Sequence, residues 1–388
     1  MFDPKMHEER TIAIIGGGPA GSATALSLVN SLTGCEASQT DRCQVHIFNT
    51  EHPTTHRFGE SIPPAATPVL KRLGVQQIVE EGDDHLVCPG SVSVWNSDTP
   101  GHNDFFWDIV GYGYHLDRAR FDEQMLTAAK RSACVTVHQG WRLTSATKQS
   151  VGMELGFSVS GRANKTIKAD FVVDATGKAA NFARRLDVAR NTFDEVIFLC
   201  CMFDMPEGAS MLSHSFVEAV PEGWWYAACL PNNKVVMTFC TDVEGMKANC
   251  WDEPDQWLGL LRQTKWLHKK IPNALLHTPP SSHQITIQVA SSTILSAVCG
   301  NGWLAVGDAA SSYDPITSAG ITKAMMQGEL AGQAISAALF EGKPEALQGY
   351  QTRVFDDFNQ YVSLRNQLYS SETRFTKSRF WLKRLGHA

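Results

Sequence analysis

The chain has 388 residues, 43% of them hydrophobic, and a formal net charge of −6. That is enough apolar material for a sizeable core and enough length for two domains. The mild acidity and the scattered Lys and Arg exclude a nucleic-acid binder, and no stretch reaches the ~18 apolar residues of a membrane span. The ten cysteines form no CxxC pair, and no His cluster lies near them at zinc spacing. They read as small apolar core residues of a reducing compartment, with no metal site. The apolar run Thr11–Ile15 is too short for a signal peptide, so a cytoplasmic protein is expected.

In chain order, residues 11–15 (TIAII) read as a buried strand, followed by a Gly-rich turn and a helix through about Leu32. A polar insert at 33–43 leads to a second strand at 44–48, which completes a βαβ unit. Residues 64–81 are predicted helical and 89–109 form strands of a half-exposed sheet; a helix starts near Arg118 and runs to 131. Short strands follow at 134–138, 151–159 and 166–173, and antiparallel strands at 195–240. A helix at 252–276, strands at 283–289 and 293–306, and helices at 319–340 and 345–385 complete the chain. This order predicts an α/β fold with interleaved domains. A dinucleotide domain takes 1–85, 115–190 and 285–335, an antiparallel-sheet substrate domain takes 86–114 and 191–284, and 336–388 is a C-terminal helical segment. The tail carries Tyr350, Phe355, Phe358, Tyr361, Leu368, Phe375 and Trp381 at largely helical spacing. Packing on the body is the expectation, and a surplus aromatic face there would suit a partner protein.

Three motifs carry chemistry. The first is GGGPAG: Gly16 permits the tight turn out of the strand, Gly18 lets backbone N–H groups approach a pyrophosphate, and Gly21 lets the helix pack closely on the strand. The helix N-terminus adds the positive end of its dipole. At the end of the second strand, where an acidic residue usually meets the ribose, stands Asn49, with Glu51 two residues on. The second motif, FVVDATGKAANFARRL, presents Asp174 and Gly177 after a strand. The third, WLAVGDAASSYDPITSAGITKAM, ends a strand on Asp308, placed to accept from a sugar-like hydroxyl. It then opens a helix at Ser318–Ile321, whose N–H groups aim at an electron-rich ring edge.

In this order the three motifs resemble the glycine-rich, DG and GD motifs of single-component flavin monooxygenases related to aromatic-ring hydroxylases and flavin-dependent halogenases. The resemblance covers nearly the whole chain. It implies a Rossmann-like FAD-binding domain of the aromatic-hydroxylase type, with FAD as cofactor and NADH or NADPH as reductant, directly or through a reductase. It further implies that Asp308 holds the ribityl chain, that the turn from Pro315 to Gly320 and Ile321 faces the isoalloxazine, and that Asp174 and Gly177 lie near FAD. Arg118 matches the family Arg of DRxxFD. The stretch HRFGESIPP resembles the GES-x-P loop of halogenases and their nearest hydroxylase relatives, which would set Arg57, Gly59 and Glu60 beside the flavin. Read from the residues alone, Ser61 and Pro63 also suit a capped turn before a helix.

Halogenases of this group carry a lysine on a strand after that loop, and 82–116 contains none. Their WxWxIP motif is replaced by GWWYAACLP, with Tyr226 and Ala228 at the tryptophan positions. HRFGESIPP, GYGYHLDRARFDEQ, EGWWYAACLP and DPITSAGITKAM are similar to the LodB/GoxB-like maturation flavoproteins. That resemblance implies hydroxylation, with molecular oxygen, of a tryptophan in the precursor of a quinone-cofactor amino-acid oxidase, during cysteine tryptophylquinone biogenesis. A monooxygenase or halogenase of a small aromatic metabolite, and a flavin-binding chaperone, are the alternatives. No catalytic base is marked; His102, Asp104, Asp108, His214 and Glu218 are candidates on strands that would cover the flavin. Trp224, Trp225 and Tyr226 suit a sheet core or a substrate channel.

Overall fold

The computed structural model describes residues 9–34, 40–50, 58–281 and 284–385. Among them the α-helices are α1 (Pro19–Thr33), α2 (Ala66–Arg72), α3 (Gln77–Glu80), α4 (Arg118–Lys130), α5 (Val243–Asn249), α6 (Pro254–Arg262), α7 (Gly320–Phe340), α8 (Glu345–Ser371) and α9 (Arg379–Leu382). None is long and apolar enough to cross a membrane, and no cluster of metal-ligating side chains occurs among the described residues.

A six-stranded sheet forms the base. Its order is Cys299–Gly300, Trp303–Ala305, Phe171–Asp174, Arg10–Ile15, Cys43–Asn49, Val135–Gln139. All pairings are parallel except that of Cys299–Gly300 with its neighbour. Ile12–Ile15 and the whole of Phe171–Asp174 are buried, as expected for parallel strands covered on both faces. One cover is a meander of Trp141–Lys148, Met153–Val159 and Lys165–Ala169, in which Phe157 stacks on Phe48 of the sheet at 4.2 Å. Its first strand, 141–148, is absent from the pattern-based reading, because only Leu143 of its eight residues is buried and the alternation is correspondingly weak.

Helices α1 and α7 cross at backbone contact. A Cβ on Gly328 would sit 2.6 Å from the Ala20 carbonyl oxygen, and one on Gly332 would sit 2.6 Å from the Leu28 nitrogen. The register (328 against 20–24, 332 against 27–28) means that the two helices run in the same direction. Ser27 Oγ donates to the Glu329 carbonyl at 2.6 Å across the crossing.

A seven-stranded sheet lies apart, in the order Thr286–Val289, Ile197–Asp204, Lys234–Thr241, Gly223–Leu230, Ser215–Val220, Gly90–Val94, Gly101–Asp104. Thr286–Val289 therefore belongs with this sheet and not with the dinucleotide block in which the sequence pattern set it. His85–Cys88 and Gly113–Leu116, which straddle the expected ends of the 86–114 block, leave the seven-stranded sheet: Gly113–Leu116 pairs with both His85–Cys88 and Ser61–Ile62 in a small third sheet. Three expected long helices are broken; one of them, 345–385, ends at Ser371 and resumes only as the short α9. The 64–81 segment is interrupted by Gly74 at φ +74°, and 252–276 gives way after α6 to single 3-10 turns around Pro272.

Glu218, a candidate base from the sequence, is instead a buried cap. Its carboxylate accepts from the backbone N–H groups of Lys265, Trp266 and Leu267 at 2.6, 3.1 and 2.6 Å. In the aromatic tail Tyr350, Phe358, Tyr361 and Trp381 are buried and Phe355, Leu368 and Phe375 are half-buried, so the tail packs on the body. Trp381 donates its indole N–H to the Val220 carbonyl at 2.9 Å.

Because the α1–α7 crossing leaves no room for a side chain, Gly328→Val is expected to destabilise the apoprotein by about 1–3 kcal/mol or more, read by denaturant melting. A Gly328→Val midpoint equal to that of the unaltered chain would contradict the packing described.

Candidate active site

One cavity of about 400 Å³ lies between the two main sheets, lined from segments far apart in the chain. On its base side are Gly18, Pro19 and Ala20 around the start of α1, Ala175, Gly177 and Lys178, Asp308, and Pro315, Ile316, Ser318, Gly320, Ile321 and Ala324 leading into α7. On its other side are Phe198, Cys200, Val217, Trp224, Tyr226, Thr238 and Gln288 of the seven-stranded sheet, with Ala290 just past its edge strand. Phe58, Gly59, Glu60, Ser61 and Arg118 close one flank.

Local sequence explains the base. Gly16 leaves the strand at φ +115°, where a Cβ would collide with the Ala175 carbonyl oxygen at 2.2 Å; a Cβ on Gly21 would lie 2.0 Å from the Gly16 carbonyl oxygen. These two glycines are consumed by packing. Gly18 differs: it lines the cavity, and a Cβ there would meet no protein atom within 4 Å. The same holds for Gly320. Neither α1 nor α7 has a side-chain N-cap, so their first N–H groups are open to whatever fills the cavity. The turn before α7 is held by Asp314, whose Oδ1 accepts from Ile316 N at 3.0 Å, and it closes through Ser318 in the left-handed region at φ +50°. A non-glycine residue there is backbone strain next to the cavity.

The charges divide into paired and open groups. Asp308 Oδ1 accepts from the buried Lys323 ammonium at 2.7 Å. Burial opposes its charge, but Lys323 and Lys178 hold its carboxyl below the ordinary range. Lys178 donates from Nζ to the Val289 carbonyl. Arg118 donates from Nη1 to the carbonyls of Phe58 and Gly59 at 3.2 and 2.7 Å, and its Nε is buried without a partner. Glu60 is 5% exposed, with Oε2 on Gly59 N at 2.9 Å and Oε1 buried without a partner. Burial pushes its carboxyl up to about 7 against the opposing pull of Arg118.

The sequence-derived residues separate accordingly. Gly18, Glu60, Arg118, Gly177, Asp308, Pro315, Gly320 and Ile321 line the cavity, whereas Gly16 and Gly21 shape the turn beneath it. Asn49 lies under the turn, accepting from Gly17 N at 3.4 Å and donating to Gln139 Oε1 at 3.1 Å. Asp174 is committed to its own loop: its carboxylate accepts from Thr176 N and Oγ1, Phe182 N and Ala183 N at 2.6–3.0 Å, and it is fully buried. Arg57 and Glu51 lie outside the described residues. His102, Asp104 and Asp108 are exposed, and half-buried His214 does not line the cavity. Strand alternation sends Trp224 and Tyr226 to the cavity and Trp225 to the opposite core, against Trp257. Lys178, Phe198, Thr238 and Gln288 line the cavity and Lys323 backs it through Asp308, and no linear pattern marks any of them. Lys323 is signalled only by its place one turn into α7, facing back at Asp308.

An elongated ligand with an anionic middle and a flat electron-rich ring suits these features. The open space at Gly18 and Gly320, the two uncapped helix starts, and the unpartnered Glu60 and Arg118 atoms all fit FAD. The fold and the cavity define an FAD-binding protein. Residues 9–362 match the family described as FAD binding domain, and the chain belongs to that family. LodB of Marinomonas mediterranea, described as an FAD-dependent oxidoreductase, is 26% identical over 373 residues, 96% of this chain and 95% of that one. Among solved structures, CmlS, a flavin-dependent halogenase, superposes with a TM-score of 0.81 at 22% identity, covering 97% of this chain and 68% of that one. QhpG, a peptidyl tryptophan dihydroxylase essential for tryptophylquinone cofactor biogenesis, gives 0.74 at 23%, covering 98% and 79%.

Two variants separate ligand contact from packing. Gly18→Val is expected to leave the apoprotein within about 0.5 kcal/mol of the original stability yet to retain no FAD on purification, whereas Gly21→Ala, facing the Gly16 carbonyl, is expected to lower stability first. Full FAD content in folded Gly18→Val would contradict the cradle. Glu60 makes a pH prediction. Its folded value lies above the unfolded one, so its contribution to apoprotein stability is complete below about 4.5 and is lost as pH rises through about 7. Urea melts of the unaltered chain and Glu60→Gln should diverge across that window, by up to about 3 kcal/mol. Parallel pH profiles would show that the carboxyl titrates normally.

Proposed function

We propose that this chain is an FAD-dependent monooxygenase that hydroxylates a tryptophan of a precursor protein during biogenesis of a cysteine tryptophylquinone cofactor. The observation that carries the reading is full-length similarity to LodB combined with a two-walled cavity, one wall suited to FAD and the other largely apolar. The fold shared with QhpG supports the same substrate class.

In this reading the Gly16–Gly21 turn and the start of α1 hold the pyrophosphate, with Asn49 fixing the turn from below. Asp308, kept ionised by Lys323, accepts from the ribityl hydroxyls. The Pro315–Ile321 segment and the start of α7 face the ring edge where negative charge accumulates. Bound FAD supplies electron storage and oxygen activation, with NADH or NADPH as the ultimate reductant. Phe198, Val217 and Trp224 exclude water and leave an indole-like ring in apolar contact. Glu60, with one open oxygen and a carboxyl near neutrality, is the cavity group suited to hold or release a proton during the reaction. The exposed His102, Asp104 and Asp108 and the backbone-committed Glu218 take no part.

The test supplies the purified protein with reductant, oxygen and the precursor of a neighbouring amino-acid oxidase, and follows the precursor by intact mass. Addition of oxygen at a tryptophan is expected. No mass gain with bound, reducible FAD would turn the assignment to a small aromatic substrate. No flavin turnover under any condition would leave a flavin-binding chaperone.

A further inference from the structure

Tyr369, in the last turn of α8, is fully buried behind the cavity. Its hydroxyl donates to Asp314 Oδ2 at 2.7 Å and accepts from the Trp224 indole N–H at 3.2 Å. Asp314 is the residue whose other oxygen closes the Pro315–Thr317 turn on the base wall, and Trp224 lines the sheet wall. One hydroxyl therefore bonds to both walls at once.

Its surroundings keep that bond in place. The guanidinium groups of Arg365 and Arg384 lie over the Tyr369 ring at 4.5 and 5.6 Å, and both pair with Asp194. Arg365 also lies 3.6 Å from Asp314 Oδ2. Asp314 is 1% exposed, so its carboxylate depends on these donors in place of water. The family match stops at residue 362, so Arg365, Tyr369 and Arg384 all lie beyond it.

We infer that Tyr369 is a positioning residue for bound flavin: through Asp314 and Trp224, the C-terminal segment 365–384 sets how the ring-facing turn stands against the substrate wall. Without the hydroxyl, Asp314 Oδ2 loses its closest donor in a site closed to water and Trp224 loses its acceptor. The carboxylate must turn toward Arg365 or take up a proton. Either change alters the N–H directions of the turn and the field at the flavin edge. Linkage makes the effect reciprocal, so FAD must stabilise the Tyr369 contacts as much as they stabilise FAD.

The experiment compares the full chain, Tyr369→Phe and Arg379→Ala, each titrated with FAD. Arg379 pairs with Glu244 on the outer side of α9 and serves as the control for a general loosening of the segment. Tyr369→Phe is expected to melt cooperatively, to bind FAD roughly ten- to hundredfold more weakly, and to show displaced visible flavin bands and a displaced midpoint potential. Arg379→Ala is expected to keep the original affinity, spectrum and potential. The inference is overturned if Tyr369→Phe matches the unaltered chain in all three, or if Arg379→Ala reproduces its effects. Should Tyr369→Phe fail to fold, amide exchange of the unaltered chain decides. FAD is expected to slow exchange across 369–384 as well as 314–321, and no change in 369–384 overturns the inference.

Discussion

Two parallel helices, α1 and α7, begin at the same cavity, and the rest of the site follows from that constraint. Each helix start carries the equivalent of about half a positive charge. Setting two of them together is unfavourable unless something negative or electron-rich lies between them. The glycines at 328 and 332 let the helices touch backbone to backbone, and Ser27 bonds across the crossing, which secures the arrangement mechanically. Neither helix caps its own N–H groups. The start of α4, whose first residue Arg118 also lines the cavity, is by contrast capped by Asp117 on Arg120 N. The open N–H groups at these two starts face the cavity, where a ligand with an anionic middle and a polarisable ring would balance them.

Carboxylates around the cavity divide by what they leave open. Asp174 and Glu218 are saturated by backbone N–H groups, so they stiffen loops and have no capacity left for chemistry. Asp308 keeps part of its surface open and stays ionised through Lys323. Glu60 alone combines burial in the cavity wall with an oxygen that has no partner. A desolvated acid with an open oxygen titrates near neutrality, which is the property a proton-handling group requires.

The sequence was most informative where local rules decide the geometry. GGGPAG after TIAII leaves a chain few options, because Gly16 and Gly21 are required by contacts within the same βαβ unit. The same logic sets Asp308 and the start of α7 at the cavity. It does not decide where side chains from separate segments compete for one role. Asp174 resembles a cofactor ligand in the linear motif, yet Phe182 and Ala183, eight and nine residues on, return to claim its carboxylate. Glu218 resembles a base on a covering strand until the 265–267 backbone folds over it. Period two in GWWYAACL predicts that Trp224 and Trp225 face opposite ways, but it does not say which of them meets the cavity. That depends on which face of the sheet α6 covers, a long-range fact.

The cavity walls come from segments as far apart as Gly18 and Ala324, and among the described residues no strand pairing joins the base sheet to the seven-stranded sheet. Two sheets that share no hydrogen-bond ladder can shift against each other unless side chains tie them, and cavity chemistry is sensitive to shifts of an ångström. The C-terminal helices supply such a tie. Trp381 is bonded to the sheet through the Val220 carbonyl, Tyr361 is bonded to Ser292 and to the Asp314 N–H, and Tyr369 joins Asp314 to Trp224. The tail aromatics are therefore buried by necessity. They form a third body against which the two sheets are aligned, and the turn before α7 is a point where all three meet.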